Sequence, residues 1–146
     1  GWALPAIPWF VFQTIAGAVS TGTHGSSLKH GSLSSQTVSL TFVLANGSLA
    51  TFSDPEFVLS SAKAAKAAAT PSYLLKAARI STGRLGVLTQ VTLRIVPDVP
   101  VRRTLTRIPA SQFVDEIQKA QASFEASGGA LPAHMNETEW FWITQR

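Results

Sequence analysis

The chain has 146 residues, 45% of them apolar and 14% charged, which excludes a disordered polyelectrolyte and fits one ordinary domain or two partial ones. A net charge of +4 suits an anionic ligand but is too small to argue for nucleic acid. There is no cysteine, hence no disulfide framework, thiolate metal site or cysteine nucleophile, and no apolar run approaches the roughly 18 residues of a membrane span.

Residues 1–14 set Trp2, Trp9, Phe10 and Phe12 among two prolines, the pattern of a packed loop. Residues 14–35 are rich in Thr, Ser and Gly, with little apolar periodicity. Gln36 to Ala45 alternates, Val38, Leu40 and Phe42 on one face and Thr37, Ser39 and Thr41 on the other, which predicts a strand. Asn46-Gly47 suits the two positive-φ positions of a type I′ turn, and 48–53 returns as a second strand. Asp54-Pro55 ends the sheet.

Residues 56–69, rich in Ala and Lys, predict a helix that Pro71 interrupts, and Tyr73 to Ile80 predicts a second helix with Gly83 beyond its end. From Arg84 to Val96 runs the clearest strand, with Val87, Thr89, Val91, Leu93 and Ile95 on one face, of which Val87, Val91, Leu93 and Ile95 are the set expected to point inward. Gly86 stands at its start, where a backbone can approach a neighbour or a ligand closely. Pro97-Asp98-Val99-Pro100 reads as a linker. Beyond it come a basic strand, 101–108, and an amphipathic helix, 111–127, with Phe113, Ile117, Ala120 and Phe124 at helical spacing and Gly128-Gly129 closing it. A last strand spans 137–144. The start has neither an initiator Met nor a charged leader, and the aromatic end stops almost at once, so the chain reads as a fragment.

The stretch with chemical content is Thr14 to Ser27. Gly17, Gly22 and Gly25 stand there among Thr and Ser residues, with no charged side chain. Such a backbone turns tightly and presents amides beside hydroxyl donors, a nest that suits phosphate oxygens, although composition alone favours a plain surface loop. Gly17 and Gly22 have the spacing of a phosphate-binding P-loop, but Thr23-His24 replaces the required Lys-Ser/Thr. The glycine spacing of the dinucleotide fingerprint is not met either.

The run from Gln13 to Gly25, QTIAGAVSTGTHG, resembles the flavin-binding loop of the aldonolactone oxidases: the L-gulonolactone, L-galactonolactone and D-arabinono-1,4-lactone oxidases of the vanillyl-alcohol-oxidase flavoprotein fold. His30 to Gln36 resembles the segment that follows that loop. Lys76 to Leu93 resembles the helix and Gly-x-x-Gly-Val opening of a later strand, and Glu139 to Ile143 the first aromatic strand of the substrate domain.

The resemblance implies an α+β fold, with residues 1–97 forming the second half of an FAD-binding domain and 98–146 the start of a substrate domain. It implies FAD as cofactor, and a sugar lactone and an electron acceptor as partners, in chemistry of the kind found in ascorbate biosynthesis. Ile15, Ala16 and Gly17, with Thr21, Gly22, Thr23, His24, Gly25 and Ser26, would line the pyrophosphate and one side of the isoalloxazine. Gly86 and Val87 would give backbone contacts to the adenine end. In this family the flavin takes a hydride from a lactone carbon and passes electrons to O2 or another acceptor.

The protein departs from the family pattern. The Gly-His-Ser loop that can hold flavin covalently and the charged groups of the substrate domain are not found in it, and an extra stretch, Phe57 to Ser72, separates the hairpin from the Ala-Ala-Arg helix. No catalytic residue is identified.

Other readings are weaker. His24, His30 and His134 have no metal-ligand spacing, and no G-x-S-x-G elbow is present. Arg102, Arg103 and Arg107 lack the interleaved aromatics of a nucleic-acid surface, and a solvated strand face accounts for them. Trp140, Phe141 and Trp142 suit core packing better than a sugar subsite. Asn46-Gly47-Ser48 and Asn136-Glu137-Thr138 match the glycosylation sequon without establishing secretion. The rival of another class is a degenerate, non-catalytic interaction scaffold of the same fold. Compartment and membrane association are not indicated.

Overall fold

A computed structural model describes residues 1–27, 29–60, 71–130, 132, 135 and 138–141. The protein divides into two compact units, Gly1–Gly25 with His30–Asp98, and Ser26–Lys29 with Val99–Arg146. The described elements mix helices with antiparallel strands, an α+β arrangement.

The first unit is built on a three-stranded antiparallel sheet. Its central strand β2 (Thr37–Val43) pairs with β3 (Leu49–Ser53) on one side and β4 (Val87–Leu93) on the other. A two-stranded ladder joins β1 (Trp2–Ala3) to β5 (Val96–Pro97). Leu40 and Phe42 point from β2 to the same face and are fully buried, and the helices α1 (Ile15–Ser20) and α3 (Ser72–Arg79) cover that face with Ala18, Val19, Leu75 and Ala78. Leu75 and Ala78 are one turn apart, so α3 buries a single stripe. The opposite face of the β2–β3 pair carries hydroxyls in register: Ser39 with Ser53 at 2.8 Å, and Thr41 with Thr51 at 3.0 Å.

The hairpin turn differs from expectation. Gly47 has φ 79°, but Asn46 does not enter the left-handed region, so the loop is not type I′. The Gly47 amide donates to the Leu44 carbonyl at 2.9 Å and the Leu44 amide to the Ser48 carbonyl at 2.8 Å. This is a three-residue loop, an ordinary turn followed by a glycine bulge. The type I′ geometry occurs elsewhere, at Ser81–Arg84. There Thr82 (φ 49°) and Gly83 (φ 77°) are both left-handed, and the Arg84 amide donates to the Ser81 carbonyl at 2.9 Å.

The alternation expected for the Arg84–Val96 strand is broken by two register shifts. Between the pairs Thr41↔Gln90 and Phe42↔Leu88, β4 carries an extra residue, Thr89; between Thr37↔Leu93 and Ser39↔Thr92 the extra residue is Val38 of β2. A bulge of this kind reverses which residues face inward beyond it. Leu88 and Val91 therefore pack on the core, while Val87 is 68% exposed and Ile95 lies at the surface, against the inward set expected from the sequence.

Other expectations also change. The aromatics of the first fourteen residues are largely exposed, with Phe12 at 88%, and they stack edge-on, Trp9 on Phe10 and Phe10 on Phe12. The helix predicted over 56–69 begins as α2 (Pro55–Ser60), where Asp54 caps the Glu56 amide at 3.0 Å; 61–70 lie outside the described residues.

In the second unit, 101–108 form no strand. They are irregular and almost wholly exposed, because a β-ladder needs a neighbour and no described strand pairs with them. Helix α4 (Ala110–Ala126) ends where the double glycine predicts. Gly128 (φ 71°) and Gly129 (φ 111°) donate their amides back to the carbonyls of Glu125 and Phe124. Phe113 meets the edge of Trp140 at 4.5 Å, but Trp140 and Phe141 are surface residues rather than core. Residues 138–141 are irregular; the rest of the last predicted strand, with Trp142 and His134, lies outside the described residues. No helix among the described residues is long and apolar enough to cross a membrane.

Candidate cofactor site

Part of the Thr/Ser/Gly run is a helix. Thr14 caps α1, its Oγ1 accepting from the Gly17 amide at 3.2 Å, and Ala18 and Val19 anchor the helix in the core. Its far end closes through glycine. Gly22 (φ 73°) donates to the Val19 carbonyl and Thr23 to the Ala18 carbonyl at 3.0 Å, the paired bonds of a glycine-capped helix. The Thr21 amide and hydroxyl both donate to the Gly17 carbonyl, at 3.1 and 2.9 Å.

These bonds correct the expectation of a nest. The amides of Gly17, Thr21, Gly22 and Thr23 are engaged within the protein, so these four are not turned toward a ligand. Gly25 does not take a positive φ. It is needed for a different reason, since a Cβ there would stand 2.6 Å from the Ile7 carbonyl oxygen.

The remaining candidates divide. Ile15 and Ala16 open α1, and Ile15 lines a cavity of about 170 Å³ with Ile7, Pro8, Phe10, Val11 and Leu33, where Gln13 is the polar member. Thr23 is half-buried with its hydroxyl 3.5 Å from that of Thr21, and His24 is exposed with Nδ1 2.9 Å from the Gly25 carbonyl. Ser26 groups with the second unit. Gly86 has φ 141°, and a Cβ there would overlap the Val43 carbonyl of β2. The close approach that Gly86 permits is to the neighbouring strand.

Two of the runs singled out in the sequence meet in space. The Thr82 amide donates to the Ser20 carbonyl at 3.0 Å, and a Cβ added to Gly22 would stand 3.5 Å from the Ile80 side chain. The segment after the first loop joins them, with Ser34 Oγ donating to the Val19 carbonyl at 2.6 Å and the Leu33 amide to the Thr23 carbonyl at 2.9 Å. Two residues that sequence patterns do not mark belong to this neighbourhood. Ser81 is buried with a hydroxyl that has no partner among the described residues, and Thr82 holds a left-handed conformation that β-branched residues rarely adopt. No composition signal points to either.

Farther along, the Arg79 guanidinium makes two bonds to the Thr37 carbonyl, 3.1 Å from Nε and 2.6 Å from Nη2. Burial holds its pKa below the ordinary range, with Asp54 opposing that effect and Arg94 adding to it. Among the described residues, no group of three or more His, Asp or Glu residues converges as metal ligands would.

The sequence matches no protein-family model. Its relatives are sugar-lactone oxidases. It is 42% identical over 92 residues to the D-arabinono-1,4-lactone oxidase of Yarrowia lipolytica, a match covering 63% of this chain and 15% of that protein. It is 34% identical over 125 residues to the enzyme of that name from Eremothecium gossypii, covering 86% of this chain and 21% of that protein. To the L-gulonolactone oxidase of Bos taurus it is 27% identical over 128 residues, covering 88% and 23%. The chain belongs to the aldonolactone oxidase family, and the matches span less than a quarter of these relatives' length.

Proposed function

We propose that this chain is the flavin-contacting stretch of an FAD-dependent sugar-1,4-lactone oxidase of the D-arabinono-1,4-lactone or L-gulonolactone type, with residues 1–97 in the FAD-binding domain and 98–146 opening the substrate domain. The observation that carries this reading is the bond from the Thr82 amide to the Ser20 carbonyl, which holds together the two runs that resemble the family's flavin-binding segments.

Bound FAD supplies the redox step, taking a hydride from a lactone carbon and passing the electrons to O2 or another acceptor. The part of this protein is to hold and orient. The residues fit such a group in one specific way: Ser81 offers a buried hydroxyl without a partner, a state that a hydrogen bond to a ligand oxygen would relieve. Thr23 adds a hydroxyl and His24 an exposed imidazole on the same uncharged loop. The apolar cleft beside Ile15 gives a flat ring a wall to lie against. At the strand opening the missing Cβ of Gly86 serves the close approach to Val43, opposite which Val87 is paired in the ladder.

The test is made on the whole protein that carries this chain. Purified protein should show the visible absorbance of flavin, bleached anaerobically by D-arabinono-1,4-lactone or L-gulono-1,4-lactone and restored by air. Ser81→Ala should weaken flavin retention by about tenfold, the worth of one hydrogen bond in a dry site. Protein that folds but takes up no flavin would instead favour an interaction scaffold of the same fold.

A further inference from the structure

The loop between β2 and β3 holds a reactive peptide bond, independent of any cofactor. Asn46 is followed by Gly47, and its Oδ1 accepts two hydrogen bonds from Ser48, 3.0 Å from the amide and 2.7 Å from Oγ. All three residues are exposed, and nothing lies within 4 Å of the place where a Cβ on Gly47 would stand. We propose that Asn46 is a self-modification site, converting to aspartate and isoaspartate through a cyclic imide, with the Ser48 amide and hydroxyl acting as a two-donor oxyanion hole.

The chemistry needs only water. The Gly47 nitrogen attacks Asn46 Cγ while losing its proton, and the π electron pair of the Cγ–Oδ1 double bond moves onto Oδ1. That oxygen already faces two donors, so charge developing on it in the tetrahedral intermediate is stabilised from the start. The bond from Cγ to Nδ2 then breaks, and Nδ2 leaves as ammonia after taking up the proton. Water opens the five-membered imide at either carbonyl, giving aspartate or isoaspartate. Gly47 favours the closure because it has no Cβ to crowd the ring. The other asparagine of the sequence, Asn136, precedes Glu137 and lacks that freedom.

One contact restrains the reaction. The Gly47 amide donates to the Leu44 carbonyl at 2.9 Å and must leave it before it can attack. The loop is three residues long and exposed, so this opening is local and does not require the sheet to unfold. The product has consequences for the fold. Isoaspartate lengthens the backbone by one carbon inside that loop and adds a negative charge, which works against the 2.8 Å bond from Leu44 to Ser48 that closes the hairpin.

The experiment follows the full-length protein by peptide mass mapping and by enzymatic methylation of isoaspartate, during incubation at neutral and mildly alkaline pH. Conversion at Asn46 should outpace any at Asn136 and quicken with pH. Ser48→Ala removes one donor and should slow it about three- to tenfold, the range of one net hydrogen bond, while Ser48→Thr keeps the hydroxyl and should hold the original rate. Two results would overturn the proposal. One is Asn46 remaining an amide over the time in which a free peptide of residues 44–50 converts. The other is Ser48→Ala reacting as fast as the unaltered protein.

Discussion

Thr82 donates its amide to the Ser20 carbonyl across 3.0 Å while its own backbone is held at φ 49°. The bond ties the turn after α3 to the last residue of α1, and Thr82 Oγ1 donates to the Ser81 carbonyl at 2.8 Å. The left-handed conformation costs a residue with a Cβ about 1–2 kcal/mol, and a β-branched one more. Asparagine tolerates that region and keeps the amide. Thr82→Asn should therefore stabilise the protein by about 0.5–1 kcal/mol, measured as a rise in the urea midpoint at constant slope. A loss of stability would mean that the Thr82 hydroxyl matters more than the strain.

Gly83 and Gly86 separate two reasons for glycine. Both have positive φ, but the space at Gly83 is open, whereas a Cβ on Gly86 would collide with the Val43 carbonyl. Gly83→Ala should cost about 1 kcal/mol, the conformational term alone. Gly86→Ala should cost more than about 3 kcal/mol, because strand β4 must move away from β2. Equal losses in denaturant titrations would remove the close approach from the explanation.

The contrast between these elements shows what was legible in the sequence. Strand β2, the return strand and the glycine end of α4 follow from alternation and turn chemistry within short windows. Helix α1 was not legible, since Ile15, Gly17 and Val19 have modest or poor helix propensity. Its stability comes from the Thr14 cap, the Gly22 closure and the burial of Val19, and the last of these is tertiary. The family runs were legible in order, but their meeting at Ser20 and Thr82 was not, because no local pattern records a contact between distant segments. The type I′ turn fell at Thr82-Gly83 rather than Asn46-Gly47, because the register of β2 against β3 set a three-residue loop.

Arg79 should be a structural cation. Its Nε and Nη2 both donate to the Thr37 carbonyl beside the register shift of β2, and Thr37 is completely buried. Arg79→Ala leaves that carbonyl without its charged donor and should cost about 1.5–3 kcal/mol. Arg79→Lys should recover only part of it, since one ammonium cannot reproduce the two-nitrogen approach of a guanidinium. Lys76→Ala, at an exposed position of the same helix, should fall within about 0.5 kcal/mol of the unaltered protein. Thermal or urea unfolding of the three variants would rank them, and equal effects at 76 and 79 would count against the Thr37 contact.

The extra residue at Thr89 makes the sharpest claim about the sheet. Simple alternation through β4 puts Val87 on the same face as Val91, yet the paired residues are Phe42↔Leu88 and Leu40↔Val91, and these two pairs face the core together. Val87 sits opposite Val43 on the other face, 68% exposed. Thr89 marks the irregularity, its hydroxyl donating to the Thr41 carbonyl at 3.1 Å. Val87→Thr should then change stability by no more than about 0.5 kcal/mol, whereas Leu88→Ala, which removes apolar carbons packed beside Phe42, should cost about 2–3 kcal/mol. Both substitutions leave the backbone bonds of β4 in place, so the comparison reads the direction of each residue alone. Urea titration of the pair decides it: a larger loss at Val87 than at Leu88 would restore the unbroken alternation and remove the bulge.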